Sequence, residues 1–138
     1  MMSEFQITTH GQGLYEFTGD VARWLNGQSD GLLTLMVRHT SASLLIQENA
    51  DPDVQRDLMA FFSRAIPRGD DPSMSYLTHT LEGPDDMPAH IKAAMLPISL
   101  SIPVQAGVMM LGTWQGIYLF EHRDAPHVRR VAAHFAAS

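Results

Sequence analysis

Apolar side chains recur along the chain at two periods, and the switches between them divide it into short strands and helices. Phe5 to Thr9 and Leu14 to Thr18 alternate about Gly11 and Gly13, which predicts an opening hairpin. A short helix follows, with Asp20 as its cap, Val21, Trp24 and Leu25 on one face, and Gly27 and Gly31 closing it. Leu32 to Val37 and Ala42 to Ile46 are nearly continuous apolar runs, which predicts central strands covered on both faces. Asp51-Pro52 then starts a longer helix, because proline suits the first helical position and Val54, Leu58, Phe61, Phe62 and Ala65 recur at three-to-four spacing.

From Pro67 to Asp86 the chain is rich in Pro, Gly, Asp, Ser and Thr and reads as a long loop, with a brief strand around Ser75 to Thr80. A further helix runs from about Met87 to Leu96 and stops at Pro97. Ile98, Leu100, Ile102 and Val104 then alternate with polar residues, and Pro103 marks an edge or a bulge. Val108 to Thr113 and Ile117 to Glu121 predict a following pair of strands. Arg129 to Ala136 is read as a strand, since Val131, Ala133 and Phe135 share one period-two face. Runs of strands with two or three helices and no regular βαβ alternation predict a compact α+β domain on a largely antiparallel sheet. At 138 residues the chain is one domain, 1–138.

Charge and composition narrow the partners. A net charge of −6 repels polyanions, so neither nucleic acid nor an anionic membrane surface is an expected partner. A phosphorylated ligand would need a metal ion, helix-start amides or an arginine. No cysteine is present, which excludes disulfides, thiolate nucleophiles and cysteine-based zinc sites. The opening MMSEFQITTH has neither a basic n-region nor an apolar h-region, and no stretch is apolar enough to span a bilayer, so the expected location is the cytoplasm.

Polar residues gather in three places. His39, Ser41, Asn49, Asp51 and Asp53 surround the start of the longer helix, where free N–H groups attract an anion; the same residues serve equally well as caps. His79, Glu82, Asp85, Asp86 and His90 surround the next helix start and offer imidazoles and carboxylates for a divalent metal or for acid–base work, against capping by Asp86 with an exposed His90. Glu121 follows an apolar run, so burial would raise its pKa and suit it to proton transfer, and Arg123 would hold an anion; the plainer alternative is an Arg–Glu pair at a strand end. Should His39, His79 and His90 point at one centre, they would form a metal site for Mg or Zn. His10, His127 and His134 are read as surface or packing residues.

In this order, HTSAS, NADPD, the HTLEG to DDMPAHIKA run and LGTWQGIYLFEHR resemble the YjbQ-like family, often named secondary thiamine-phosphate synthases, over roughly residues 30 to 135. The departures, Val108 to Met110 and His134, lie outside these motifs. The resemblance implies a compact α+β fold, a homotrimer and a polar pocket near subunit boundaries. Its matching positions are Ser41, Asn49, Asp51, His79, Asp86, His90, Gln115, Glu121 and Arg123. His79, Asp86, His90 and Glu121 are expected in catalysis, and Ser41, Asn49, Asp51, Gln115 and Arg123 on the substrate. The implied activity is a weak transferase reaction that joins an aminopyrimidine pyrophosphate to a thiazole phosphate and releases pyrophosphate. Metal and Arg123 would steady the leaving group while Glu121 or His79 moves protons. Two alternatives use the same residues: metal-assisted hydrolysis of a small phosphorylated metabolite, and non-catalytic binding of a small anion.

Overall fold

Two antiparallel sheets face each other across one core, and helices close the far side of the smaller sheet. The computed structural model describes residues 1–138. Its strands are β1 (Met2–Thr9), β2 (Gly13–Glu16), β3 (Gly31–Val37), β4 (Ala42–Glu48), β5 (Ser99–Gln105), β6 (Val108–Met109), β7 (Gln115–Glu121) and β8 (His127–Ala137). The helices are α1 (Thr18–Leu25), α2 (Pro52–Ala65) and α3 (Asp86–Met95), with a single 3-10 turn at Pro72–Met74. The larger sheet has the order β1-β8-β3-β5-β6 and the smaller β2-β7-β4. No helix is long and apolar enough to cross a membrane.

The alternation seen in the sequence sets which side chains meet. Ile7, Leu33, Leu35, Ile102, Val131, Ala133 and Phe135 project from the larger sheet onto Ala42, Leu44, Ile117 and Leu119 of the smaller one, and Val21 and Leu25 of α1 plug one end. β7 is covered on both faces. Its Ile117 and Leu119 enter this core, while Tyr118 receives a hydrogen bond from Gln55 of α2 (3.1 Å) and the Phe120 ring meets Phe62 edge-on at 5.7 Å. The tail is a strand, as its period-two face predicted, and it lies centrally between β1 and β3.

Several expectations are corrected. The opening segments form no hairpin: β1 pairs with β8 and β2 with β7, because both find longer apolar partners elsewhere. Asp20 sits inside the first turn of α1, whose cap position is Phe17, and instead pairs with Arg23. Gly27 does close that helix region with φ of +84°, whereas Gly31 opens β3, where an added Cβ would lie 2.3 Å from the Ala136 carbonyl oxygen. β3 is central but buried on one face only, with Leu32 and Met36 44% and 49% exposed, and β4 is an edge strand. Ser75 to Thr80 forms no strand. The segment from Val108 shortens to two residues that pair with β5 rather than with β7.

Candidate functional site

Antiparallel pairing of β4 with β7 puts Ala42 opposite Glu121 at one end and Glu48 opposite Gln115 at the other. Six residue steps separate these ends, about 20 Å at 3.3 Å per residue. The charged loop after Pro67 and the start of α3 both lie at the Glu121 end, and the start of α2 lies at the Gln115 end.

Arg123, just beyond β7, fastens the start of α3. Its Nε donates to Asp85 Oδ2 (2.9 Å), its Nη1 to Asp86 Oδ1 (2.7 Å) and its Nη2 to the Glu82 carbonyl (3.1 Å). The Asp124 N–H adds a fourth bond, to Asp85 Oδ2 (2.9 Å). One oxygen of Asp86 is thereby fixed and the other is free to face outward. His90 stands one helical turn on, so its Nε2 comes to 3.4 Å from Asp86 Oδ2, and His79 in the preceding loop brings its Nε2 to 2.6 Å. The carboxylate is 3% exposed beneath imidazoles that are 47% (His79) and 32% (His90) exposed. Burial pushes the Asp86 carboxyl upward, yet the hydrogen bond from His79 and the charge of Arg123 outweigh it and hold the group below its ordinary range.

These three ligand atoms lie within 4.8 Å of one another. A tetrahedral ion with bonds of about 2.0–2.1 Å needs ligand atoms roughly 3.3 Å apart. The His90–Asp86 separation already meets this, and the His79–Asp86 pair has only to open by replacing its shared proton with the ion. Two imidazoles and one carboxylate suit a zinc-like ion better than magnesium, which prefers oxygen donors. Of the three residues, His79 alone lines an open cavity of about 390 Å³, together with Asp70, Leu77, Thr80, Met87 and Pro88 among others, while His90 faces a separate hollow.

His39 is not among the three. Its Nε2 accepts the Arg130 N–H (2.9 Å), so the group that could hold an ion is two histidines with Asp86 rather than three histidines. His39 does share a shallower hollow of about 270 Å³ with His90 and Thr40.

Glu121 and Arg123 are not paired with each other. Glu121 is fully buried and accepts from Thr9 Oγ1 (2.7 Å), from Arg129 Nε (2.7 Å) and Nη2, and from the Arg123 N–H (3.2 Å). Burial alone would raise its pKa, but the bonds from Arg129 and Thr9 reverse the sign and leave it lowered. It is thus a fixed carboxylate rather than a poised proton carrier, and Arg123, committed to Asp85 and Asp86, has little charge left for an anion. Ser41 belongs to the same buried cluster, its Oγ accepting from Arg129 Nη2 (2.9 Å). His122 is also buried, with Nε2 at 2.8 Å from Ser43 Oγ and Nδ1 without a partner; burial and the Lys92 charge drive its pKa to about 3.

Asn49, Asp51 and Gln115 stand at the other end. Asn49 Nδ2 donates to Glu16 (3.2 Å), Asp51 caps α2 by accepting the Asp53 N–H (2.9 Å), and Gln115 Oε1 accepts the Gly112 N–H (2.7 Å). The sequence reading missed Arg129, although a signal was present: stepping back two residues from Val131 on the inward face of β8 lands on it. Lys92, buried on α3, was missed as well.

The model of the UPF0047 protein YjbQ-like family matches residues 3–138. The UPF0047 protein of Synechocystis is 48% identical over 130 residues, 93% of this chain and 86% of the relative. YugU of Bacillus subtilis is 34% identical over 132 residues, 94% of each chain. Among solved structures, a YjbQ/UPF0047 family protein from Clostridium acetobutylicum superposes with a TM-score of 0.84 at 33% identity, covering 97% of this chain and 99% of that one. A hypothetical protein from Aeropyrum pernix K1 gives 0.87 at 28% identity, covering 100% and 99%. With its motifs, its fold and these matches in agreement, the chain belongs to the YjbQ-like UPF0047 family.

Proposed function

We propose that this protein is a metal-dependent enzyme that hydrolyses a small phosphorylated metabolite, with a divalent ion held by His79, Asp86 and His90. The observation that carries this reading is the convergence of three potential ligand atoms on one another, over a carboxylate fixed by Arg123 and with His79 at the edge of an open cavity. A bound ion would supply a Lewis acid and an activated water. The chain's own work is positional: Arg123 holds the Asp86 carboxylate in orientation and charge state, much as outer partners orient ligands in metal sites generally. Substrate would enter beside Thr80 and Asp70.

Hydrolysis is favoured over thiamine-phosphate formation because Glu121 and Arg123 are both committed within the protein, which leaves His79 and a metal as the only parts of the pyrophosphate-releasing scheme still available. Self-association is supported by the outer face of the larger sheet, where Leu32, Met36 and Val128 lie exposed, and a homotrimer is what the family resemblance implies for it. A cytoplasmic location accords with the absence of cysteine.

The test is metal analysis of the purified protein beside the His90→Ala variant, then a panel of phosphate esters, with and without chelator, and a thiamine-phosphate assay. About one ion per chain, lost on His90→Ala, and chelator-sensitive ester hydrolysis are expected. Metal content unchanged by His90→Ala overturns the centre. Metal bound with thiamine phosphate formed and no ester cleaved replaces hydrolase by transferase; metal bound with no turnover at all leaves a binding protein.

A further inference from the structure

Behind the cavity at His79 lies a second one, of about 230 Å³, lined by Gln12, Ser63, Arg68, Asp85, Pro88 and Lys92 among others. Pro88 borders both, and the hydrogen bond from Gly69 N–H to the Pro84 carbonyl (2.7 Å) ties together the two loops between them. None of Gln12, Ser63, Arg68 and Lys92 takes part in the proposed metal centre.

Lys92 is the unusual member. It is only 4% exposed, yet no carboxylate oxygen lies within 4 Å of its ammonium group, and its one hydrogen bond goes to Gln12 Oε1 at 3.1 Å. Lysines this deeply buried are normally paired, and an ammonium group has three donors, so two remain unmet here. Its neighbour in the cavity is a second cation, Arg68. The carboxylate that also lines the cavity, Asp85, is neutralised by Arg123 and by the Asp124 N–H.

The donors are also spaced for an oxyanion. Asp124 accepts from Gln12 Nε2 on one oxygen (2.9 Å) and from Arg68 Nη1 on the other (2.8 Å), so these two groups already converge on a carboxylate-sized acceptor at the rim. Within the cavity, Lys92 adds a buried cation and Ser63 a hydroxyl, while Arg68 and Gln12 already serve Asp124, so a phosphate held here would share their remaining N–H groups with that carboxylate.

We infer that this cavity is a binding site for a phosphate group, free or as a monoester, held by Lys92 and Arg68 with Gln12 and Ser63 as neutral donors. The site goes beyond the metal reading and does not depend on an ion at His79. A monoester would have to leave its organic part at the solvent side, near Arg68, which is exposed, rather than near Lys92, which is not.

The test is titration of the purified protein with inorganic phosphate and with glycerol 3-phosphate, read by calorimetry and phosphorus NMR, in wild type, Lys92→Gln, Arg68→Gln and His79→Ala/His90→Ala. Sub-millimolar binding is expected in wild type and in the double histidine variant, weakened about tenfold or more by Lys92→Gln and by Arg68→Gln. Tighter binding of the monoester identifies an ester as the ligand, and equal binding of both identifies the free ion. The inference is overturned if wild type shows no binding up to about 10 mM, or if both single variants bind as wild type does. Loss of binding in the histidine variant alone would move the anion to the metal centre. Arg68 is exposed, so Arg68→Gln decides the matter even if Lys92→Gln fails to fold.

Discussion

Replacing Glu121 by glutamine should unfold this protein more readily rather than disarm it. Glu121 and Arg129 are 0% and 3% exposed, and the guanidinium cannot shed its proton, so the neutral amide leaves a full positive charge in the core. The amide nitrogen must also face donors, because Arg129, Thr9 and the Arg123 N–H already surround both oxygens. Losing one partner of a buried pair costs about 3–5 kcal/mol, a large share of a total stability of about 5–15 kcal/mol. For a domain of this size that lowers Tm by roughly 10–20 °C. Because the folded pKa is lowered, the stabilisation is complete above the ordinary value of 4.5 and disappears as pH falls through the folded value, so unfolding at pH 7 reads all of it. Urea titration and calorimetry measure the loss. Replacing both partners by apolar residues, Glu121→Leu with Arg129→Met, should restore much of it, since no charge is then stranded. The exposed Asp20–Arg23 pair supplies a control, Asp20→Asn shifting stability by less than about 1 kcal/mol. If Glu121→Gln unfolds within about 1 kcal/mol of wild type while turnover vanishes, the carboxylate acts in chemistry and the argument fails.

Two further outcomes follow from the same geometry. His122 stays neutral in the fold down to about pH 3 while the unfolded imidazole takes a proton below 6.5, so stability should decline below pH 6.5 at up to about 1.4 kcal/mol per pH unit. His122→Asn should flatten that decline between pH 6.5 and 4.5 in urea midpoints, and an unaltered slope would assign it to other groups. Asp51→Ala removes the cap of α2 and should cost about 1 kcal/mol in urea unfolding with metal content unchanged; a variant as stable as wild type but without metal would contradict a purely architectural role.

What the sequence made legible was local. The alternation along β8 and the cap and proline of α2 follow from local pattern and stand in the structure as read, and the polar cluster predicted at the next helix start does bring His79, Asp86 and His90 together. What misled the reading was non-local. β3 looked buried on both faces because Leu32 and Met36 are apolar, but nothing in a single chain distinguishes an apolar residue that faces the core from one that faces outward. The sign of the Glu121 shift reversed because its partner, Arg129, arrives across a bend and Thr9 from the opposite end of the chain. His39 fell outside the metal group for a similar reason: pairing of β3 with β8 brings the Arg130 N–H to its ring.

The division of the family motifs between the two ends of β7 limits what each can do. α2 starts beside Gln115 and, at about 1.5 Å per residue, its 14 residues carry the chain roughly 21 Å back toward the Glu121 end. The free amides at its first turn therefore lie far from His79, and the segment after the helix delivers Gly69 to the cavity at His79 and Arg68 to the neighbouring one. A ligand at His79 that also touched Asn49 of the same chain would have to span about 20 Å. Within one subunit, Asn49, Asp51 and Gln115 therefore act through the fold: Asn49 ties the segment after β4 to Glu16 at the end of β2, Asp51 caps α2, and Gln115 closes the turn before β7. Loss of turnover in Asn49→Ala at unchanged stability would mean that Asn49 from another subunit reaches the centre.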